Sequence, residues 1–168
     1  MRKSKKVFQG FTLIELIIVI AIIAILAAAI FVAIDPARRL NQARNARRSS
    51  DVANILDALV KYQADNNGTH YATVAGLTAG SYYALGTCAS GANLTCTAHT
   101  ALAACADVSG IGTNYLGAVP QDPRTGTAAN TDYYIKRDAN GSLAVGACDS
   151  EGEGAGGSGT APVIEVVR

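Results

Sequence analysis

Four groups of residues in this 168-residue chain have the types and spacings that do chemistry. The first is a single carboxylate, Glu15, set inside the apolar run FTLIELIIVIAIIAILAAAIFVAI of residues 11–34. A carboxylate near a bilayer centre costs about 2.5–3.5 kcal/mol on insertion scales, and less near an interface. Glu15 therefore either snorkels to the headgroups or has a cationic partner. No Lys or Arg lies within one turn inside the run, so that partner would come from another chain or from a newly made α-amino group. The second group is a set of cations just beyond the run: Arg38, Arg39, Arg44, Arg47 and Arg48. Three readings stand for it: a collar facing solvent or phospholipid, a contact with the acidic C-terminal part of a neighbouring copy, or a DNA-binding surface.

The third group is Cys88, Cys96, Cys105 and Cys148, which allow three pairings. In an exported domain the default is two disulfides, each typically worth about 2–4 kcal/mol. A zinc reading also exists through Cys88, Cys96, His99 and Cys105, although these spacings fit no common finger. His70 and His99 otherwise show no partner pattern and are expected at the surface. The fourth group, Asp149-Ser-Glu151-Gly-Glu153-Gly, resembles the first half of an EF-hand loop, but position twelve is Thr160 and the bidentate Glu is missing. It reads as a solvated acidic loop or as a calcium site built on Asp149, Glu151 and Glu153. Asn67-Gly-Thr69, Asn93-Leu-Thr95 and Asn140-Gly-Ser142 match a glycosylation acceptor, a pattern that arises readily by chance.

No nucleophile elbow, phosphate loop, metal pair or carboxylate dyad is present. After residue 67 the chain has 16 glycines and no Trp, a poor scaffold for preorganised chemistry. The expectation is a non-enzymatic protein with no cofactor beyond the calcium reading.

The elements that must position these groups follow from charge and hydropathy. Net charge is only +1, but it is segregated. Residues 1–10 carry four cations and no acid, residues 35–67 sum to +2, and residues 68–168 sum to −4. As a helix the 24 residues 11–34 span roughly 36 Å, enough to cross a membrane. The run is too long for an ordinary signal-peptide core and ends in no small-residue cleavage site, so it reads as an anchor.

Asp35-Pro36 then breaks the pattern, either with Asp35 capping a restarted helix or with Pro36 kinking a continuous one. Val52, Ile55, Leu56, Leu59 and Val60 form an apolar stripe at helical spacing, and Asn66-Asn67-Gly68 is a stop signal. Asp57 precedes Lys61 by four, a helix-supporting pair.

Residues 69–130 show no long period. The segment 119–126, VPQDPRTG, is a turn, and 132–148 reads as a hairpin around Asn140-Gly141. The segment 162–168, PVIEVVR, reads as a terminal strand. Three antiparallel strands over one helix face give a small α+β head.

Residues 5–23, KKVFQGFTLIELIIVIAII, closely resemble the class III signal of type IV pilins and type II secretion pseudopilins. That resemblance implies cleavage after Gly10 by a prepilin peptidase, N-methylation of Phe11, and a role for Glu15 in assembly, paired with the N-terminal amine of Phe11 in the neighbouring subunit. It implies a 1–10 leader, an 11–67 helix (11–34 membrane-spanning and later filament core, 35–67 amphipathic stalk) and a 68–168 head. The expected fold is α+β and pilin-like, a long N-terminal helix on a small antiparallel sheet of three to four strands. The expected function is structural, a subunit of a type IV pilus-like surface filament that is a helical homopolymer of this chain.

Its implied partners are the prepilin peptidase, an assembly platform, minor pilins and, before assembly, the membrane. Nucleic acid ranks last, because a filament would largely cover the arginines. The Pro120-x-Asp122-Pro123 loop and the calcium reading resemble pseudopilins instead, which would form a periplasmic fibre. A signal-anchored receptor or enzyme is the remaining alternative. Loss of the leader takes net charge from +1 to −3.

Overall fold

The computed structural model describes residues 10–89, 95–99, 102–112 and 114–168. The basic leader residues, and Asn93 and Leu94 of the second acceptor motif, lie outside the described residues. The chain divides into two compact units, residues 1–36 and 37–168.

In the first unit, α1 runs from Leu13 to Ile34. Thr12 caps it with an extended backbone (φ −77°, ψ 152°). Its composition of Ile, Leu, Ala and Val leaves no polar face, and none of its residues is buried within the chain. An 18-residue window reaches a mean hydropathy of 3.4, long and apolar enough to cross a membrane. The helix ends because Pro36 disfavours α geometry at the residue before it, and Asp35 takes a left-handed conformation (φ 46°, ψ 74°). That conformation closes α1. An N-cap for the next helix would instead require extended backbone.

The second helix, α2, runs from Pro36 to Asp65, with proline in the first-turn position that needs no N–H donor. Val52, Ile55, Leu56 and Leu59 are buried, as the stripe predicts. The stop signal also acts as expected: Asn67 (φ 54°) and Gly68 (φ 80°) are left-handed, and the Gly68 N–H donates to the Gln63 carbonyl at 2.8 Å. The predicted Asp57–Lys61 pair is replaced by other contacts. Asp57 accepts from Arg168 at the C-terminus, and the Lys61 ammonium lies over the Tyr115 ring.

The sheet has five strands where three or four were expected. They are β1 (Tyr82–Leu85), β2 (Cys105–Ala106), β3 (Tyr133–Arg137), β4 (Leu143–Ala147) and β5 (Glu165–Val167), in the order β2-β1-β3-β4-β5. All pairs are antiparallel except β1 with β2, which is parallel. The hairpin pairs Tyr133 with Ala147 through to Arg137 with Leu143, and Gly141 (φ 88°) turns it. A one-turn helix, α3 (Ala72–Ala75), precedes β1.

Alternation along β3 separates two cores. Tyr133 and Ile135 face the α2 stripe together with Leu85 and Val145. Tyr134 faces the other side with Ala84, Leu102, Cys96 and Cys148. Gly146 is required opposite it, because a Cβ there would sit 2.3 Å from the Tyr134 hydroxyl.

The cysteines pair as Cys88–Cys105 and Cys96–Cys148. This overturns the zinc reading, since all four sulfurs are taken up in two disulfides and none is left as a thiolate ligand. Cys96–Cys148 ties residues 95–99 to the end of β4. There His99, expected as a bare surface residue, stacks on Tyr82 at 3.7 Å and meets the Tyr134 ring edge-on.

Candidate functional site

At the start of α1 the sequence Thr12-Leu-Ile-Glu15 folds into a capping box. The Thr12 N–H donates to Glu15 Oε2 at 2.8 Å, the Thr12 hydroxyl donates to the same oxygen at 2.8 Å, and the Glu15 N–H donates to Thr12 Oγ1 at 3.3 Å. A carboxylate in the first helical turn also meets the positive end of the helix dipole. Among the described residues no cation is in ion-pair contact with Glu15. Its carboxylate is held over the nitrogen of Thr12, one peptide from the Phe11 nitrogen that leader removal would convert to an amine. Phe11 is 92% exposed. Among the described residues no group other than its chain neighbours lies within 4 Å of where a Cβ of Gly10 would be.

In the second unit α2 carries the arginines, and the structure divides them. Arg48 is fully buried, a correction to its expected place on an exposed or intersubunit collar. It lies on the same face as Val52 and Ile55, four and seven residues on. Its Nε donates to Asp122 Oδ2 at 2.5 Å and its Nη2 to Asp122 Oδ1 at 3.1 Å. Nη1 donates to Glu151 Oε2 at 3.0 Å and to Asn45 Oδ1 at 2.9 Å. Arg44 and Arg124 each donate to Glu151 Oε1, at 2.9 and 3.1 Å. Arg38, Arg39 and Arg47 stay exposed.

Burial alone would raise the Asp122 carboxyl. The Arg48 guanidinium and the backbone N–H groups of Arg124 and Thr125 more than reverse this and hold it below the usual carboxylate range. Burial acts on Glu151 in the same direction, and Arg48 and then Arg44 pull it below its ordinary value.

The same contacts count against the calcium reading. Both Glu151 oxygens face guanidinium groups, Glu153 accepts from Asn45 Nδ2 at 2.8 Å, and Asp149 accepts from the Thr97 hydroxyl at 2.7 Å. Among the described residues no group of three or more His, Cys, Asp or Glu side chains is placed to hold a metal. The donor set does not fit an ion.

Sequence reasoning missed Asn45 and Asp122. Asn45 sits seven residues before Val52 on the buried face. Its Nδ2 donates to the Glu151 carbonyl at 2.7 Å, and its Oδ1 accepts the Glu151 N–H at 3.0 Å. Extending the apolar stripe backwards through 48 and 45 would have found both Arg48 and Asn45. Asp122 was legible only as part of a turn.

An apolar helix with Gly10, Phe11 and a capped Glu15 at its start is the geometry of one known processing signal. The chain carries a prokaryotic N-terminal methylation motif. The match covers residues 5–31, which includes Gly10, Phe11, Glu15 and most of α1. No curated protein and no solved structure matches the chain. This motif is the class III signal of type IV pilins and pseudopilins, and it supports prepilin-type processing and a precursor anchored in the membrane by its apolar helix. Such a signal serves processing and assembly; it brings no catalytic group with it.

Proposed function

We propose that this protein is a structural subunit of a type IV pilus-like surface filament, assembled through α1 after a prepilin peptidase removes residues 1–10. The observation that carries the reading is α1 itself. All its apolar residues are exposed, and its one charge sits five residues into the mature chain. Such a helix needs lipid before assembly and other helices after it, and ridge-into-groove packing among copies would replace the lipid. Glu15, whose carboxylate lies over the Thr12 nitrogen one peptide from the new N-terminus, supports pairing with the amine of a neighbouring Phe11, methylated after cleavage. The membrane platform that extrudes the filament and the minor pilins that initiate it are the remaining partners.

A second reading is a type II secretion pseudopilin, whose fibre stays in the periplasm. The Pro120-Gln-Asp122-Pro123 loop favours it, since it resembles the loop found before the sheet in major pseudopilins and many minor pilins. Two disulfides favour a surface pilin, because extracellular exposure rewards covalent staples.

The deciding experiment is the intact mass and N-terminal residue of the native protein from sheared surface material and from membranes. A methylated chain beginning at Phe11 and abundant in the sheared fraction supports the pilus. The same chain confined to the envelope favours the pseudopilin. A full-length chain in membranes alone overturns both.

A further inference from the structure

Two surfaces of the second unit are complementary and cannot meet within one chain. The first is a groove of about 480 Å³ between α2 and the free edge of β5. Ala46 and Ser49 form its helical wall and Val163 and Ile164 its strand wall. Among the described residues its charged lining is Glu153 and Glu165. Glu165 is turned to the Tyr134 side of the sheet, where it accepts from the Tyr134 hydroxyl at 2.8 Å and lies 4.0 Å from His99. The β5 wall is an open edge. Arg168 exchanges both backbone hydrogen bonds with Leu143, and Ala147 donates to the Ile164 carbonyl, so the N–H groups of Glu165 and Val167 point away from β4.

The second surface is the exposed α2 face formed by Ala43, Arg47, Ser50 and Asn54, at helical spacing. It carries one cation flanked by small side chains, a shape that allows close approach. The Arg47 side chain is 64% exposed, and its ion pair is a long one, Nε to Asp51 at 3.7 Å. The Tyr133 hydroxyl already donates to Asp51 at 2.9 Å.

We propose that the acidic groove takes the Arg47 face of a second copy of this chain. The argument is charge and shape: one carboxylate, Glu153, in no ion pair among the described residues and set in a concave lining, and one cation on a convex face of small residues. The two surfaces lie about 100° apart around α2, at 3.6 residues per turn. A contact that joins different surfaces of identical copies is heterologous and leaves each end open, so it propagates into a filament instead of closing a dimer. Arg44 and Arg48, which sequence alone also offered for this contact, are taken by the subunit's own Glu151 and Asp122. The inference rests on the filament reading and names the residues through which its heads would meet.

A charge exchange tests it in the full-length precursor expressed in cells with the processing machinery. Arg47→Glu and Glu153→Lys are each expected to lower sheared filament yield about tenfold or more, as like charges meet across the contact. Leader removal and the level of mature chain in membranes stay as in the wild type. The double variant is expected to recover most of the yield, because the exchanged charges again attract.

Singles that assemble normally, or a double no better than the singles, overturn the inference while leaving the filament reading intact. A wild-type chain that matures but never polymerises removes both. A second measurement is independent of yield. Zero-length carbodiimide coupling of filaments of the Arg47→Lys variant is expected to join residue 47 of one copy to Glu153 of another. Intact filaments lacking that cross-link overturn the proposal.

Discussion

Arg48 on α2 and Asp122 in the 119–126 turn, 74 positions apart, form a two-pronged ion pair from which solvent is fully excluded. Glu151 completes it from the opposite side of the guanidinium. One side chain thereby fixes the helix to two separate loops of the head. With Asn45, the arrangement satisfies both prongs of Asp122 and four of the five Arg48 N–H vectors, which is what makes a buried charge tolerable.

Truncating Arg48 leaves a buried carboxylate without its counter-charge. Arg48→Ala is expected to cost about 3–5 kcal/mol, read as a fall in the urea midpoint of the mature protein in detergent. Arg48→Lys keeps the charge but not the planar fork, so it is expected to recover only part of the loss. A midpoint unchanged in Arg48→Ala would sink the assigned role of the pair.

The same pair predicts acid sensitivity. Asp122 and Glu151 have folded values depressed below their unfolded ones. Their contribution is therefore fully present above the unfolded carboxylate range and lost as pH falls through and below it. Stability is expected to be flat from about pH 7 to 5 and to drop from about pH 4 downward. In Asp122→Asn that drop is expected to be shallower, although the variant is less stable at pH 7. Parallel pH profiles for the two proteins would contradict the assignment.

Peptide mapping without reduction is expected to return Cys88 with Cys105 and Cys96 with Cys148, and no mixed pairs. Removing the longer staple by Cys96→Ser with Cys148→Ser is expected to cost roughly 2–4 kcal/mol. That staple also holds the His99–Tyr82 stack in place. The double variant should therefore expose residues 95–99 to proteolysis sooner than the α2 core, and simultaneous cleavage of both would argue against a local role.

Two substitutions separate processing from assembly. Gly10→Asp is expected to block leader removal, visible as retention of residues 1–10 by mass. Glu15→Val is expected to mature and stay in the membrane at normal levels while filament yield collapses. Normal filaments from Glu15→Val would remove the argument from the partner charge.

Much of the candidate site was legible from residues 5–34, because a processing signal is read along the chain. Gly10, Phe11 and Glu15 need no tertiary contact to be recognised, and even the capping box is local, spanning the four residues Thr12 to Glu15. The head was less legible. The β3–β4 hairpin announced itself through Asn140-Gly141 between the strand-like runs Tyr133-Tyr134-Ile135 and Leu143–Val145. By contrast β1 is four residues long and β2 only two, too short for a period to show. Strand β2 pairs with β1 beside a disulfide that joins Cys88 to Cys105. Cysteine spacing leaves all three pairings open, so that constraint had no signature in the sequence.

The sequence by itself determined the N-terminal half: an apolar helix, its break at Asp35-Pro36, its restart, and the stripe that would be buried. These depend on side-chain hydrophobicity at fixed helical spacing and on proline's missing donor, both properties of neighbouring residues. Only the tertiary structure decided which charges are paired within the chain and which stay exposed. Five arginines look alike along residues 38–48. Arg48 is buried and Arg47 exposed because Asp122 and Glu151, 74 and 103 positions away, lie on one side of α2 alone.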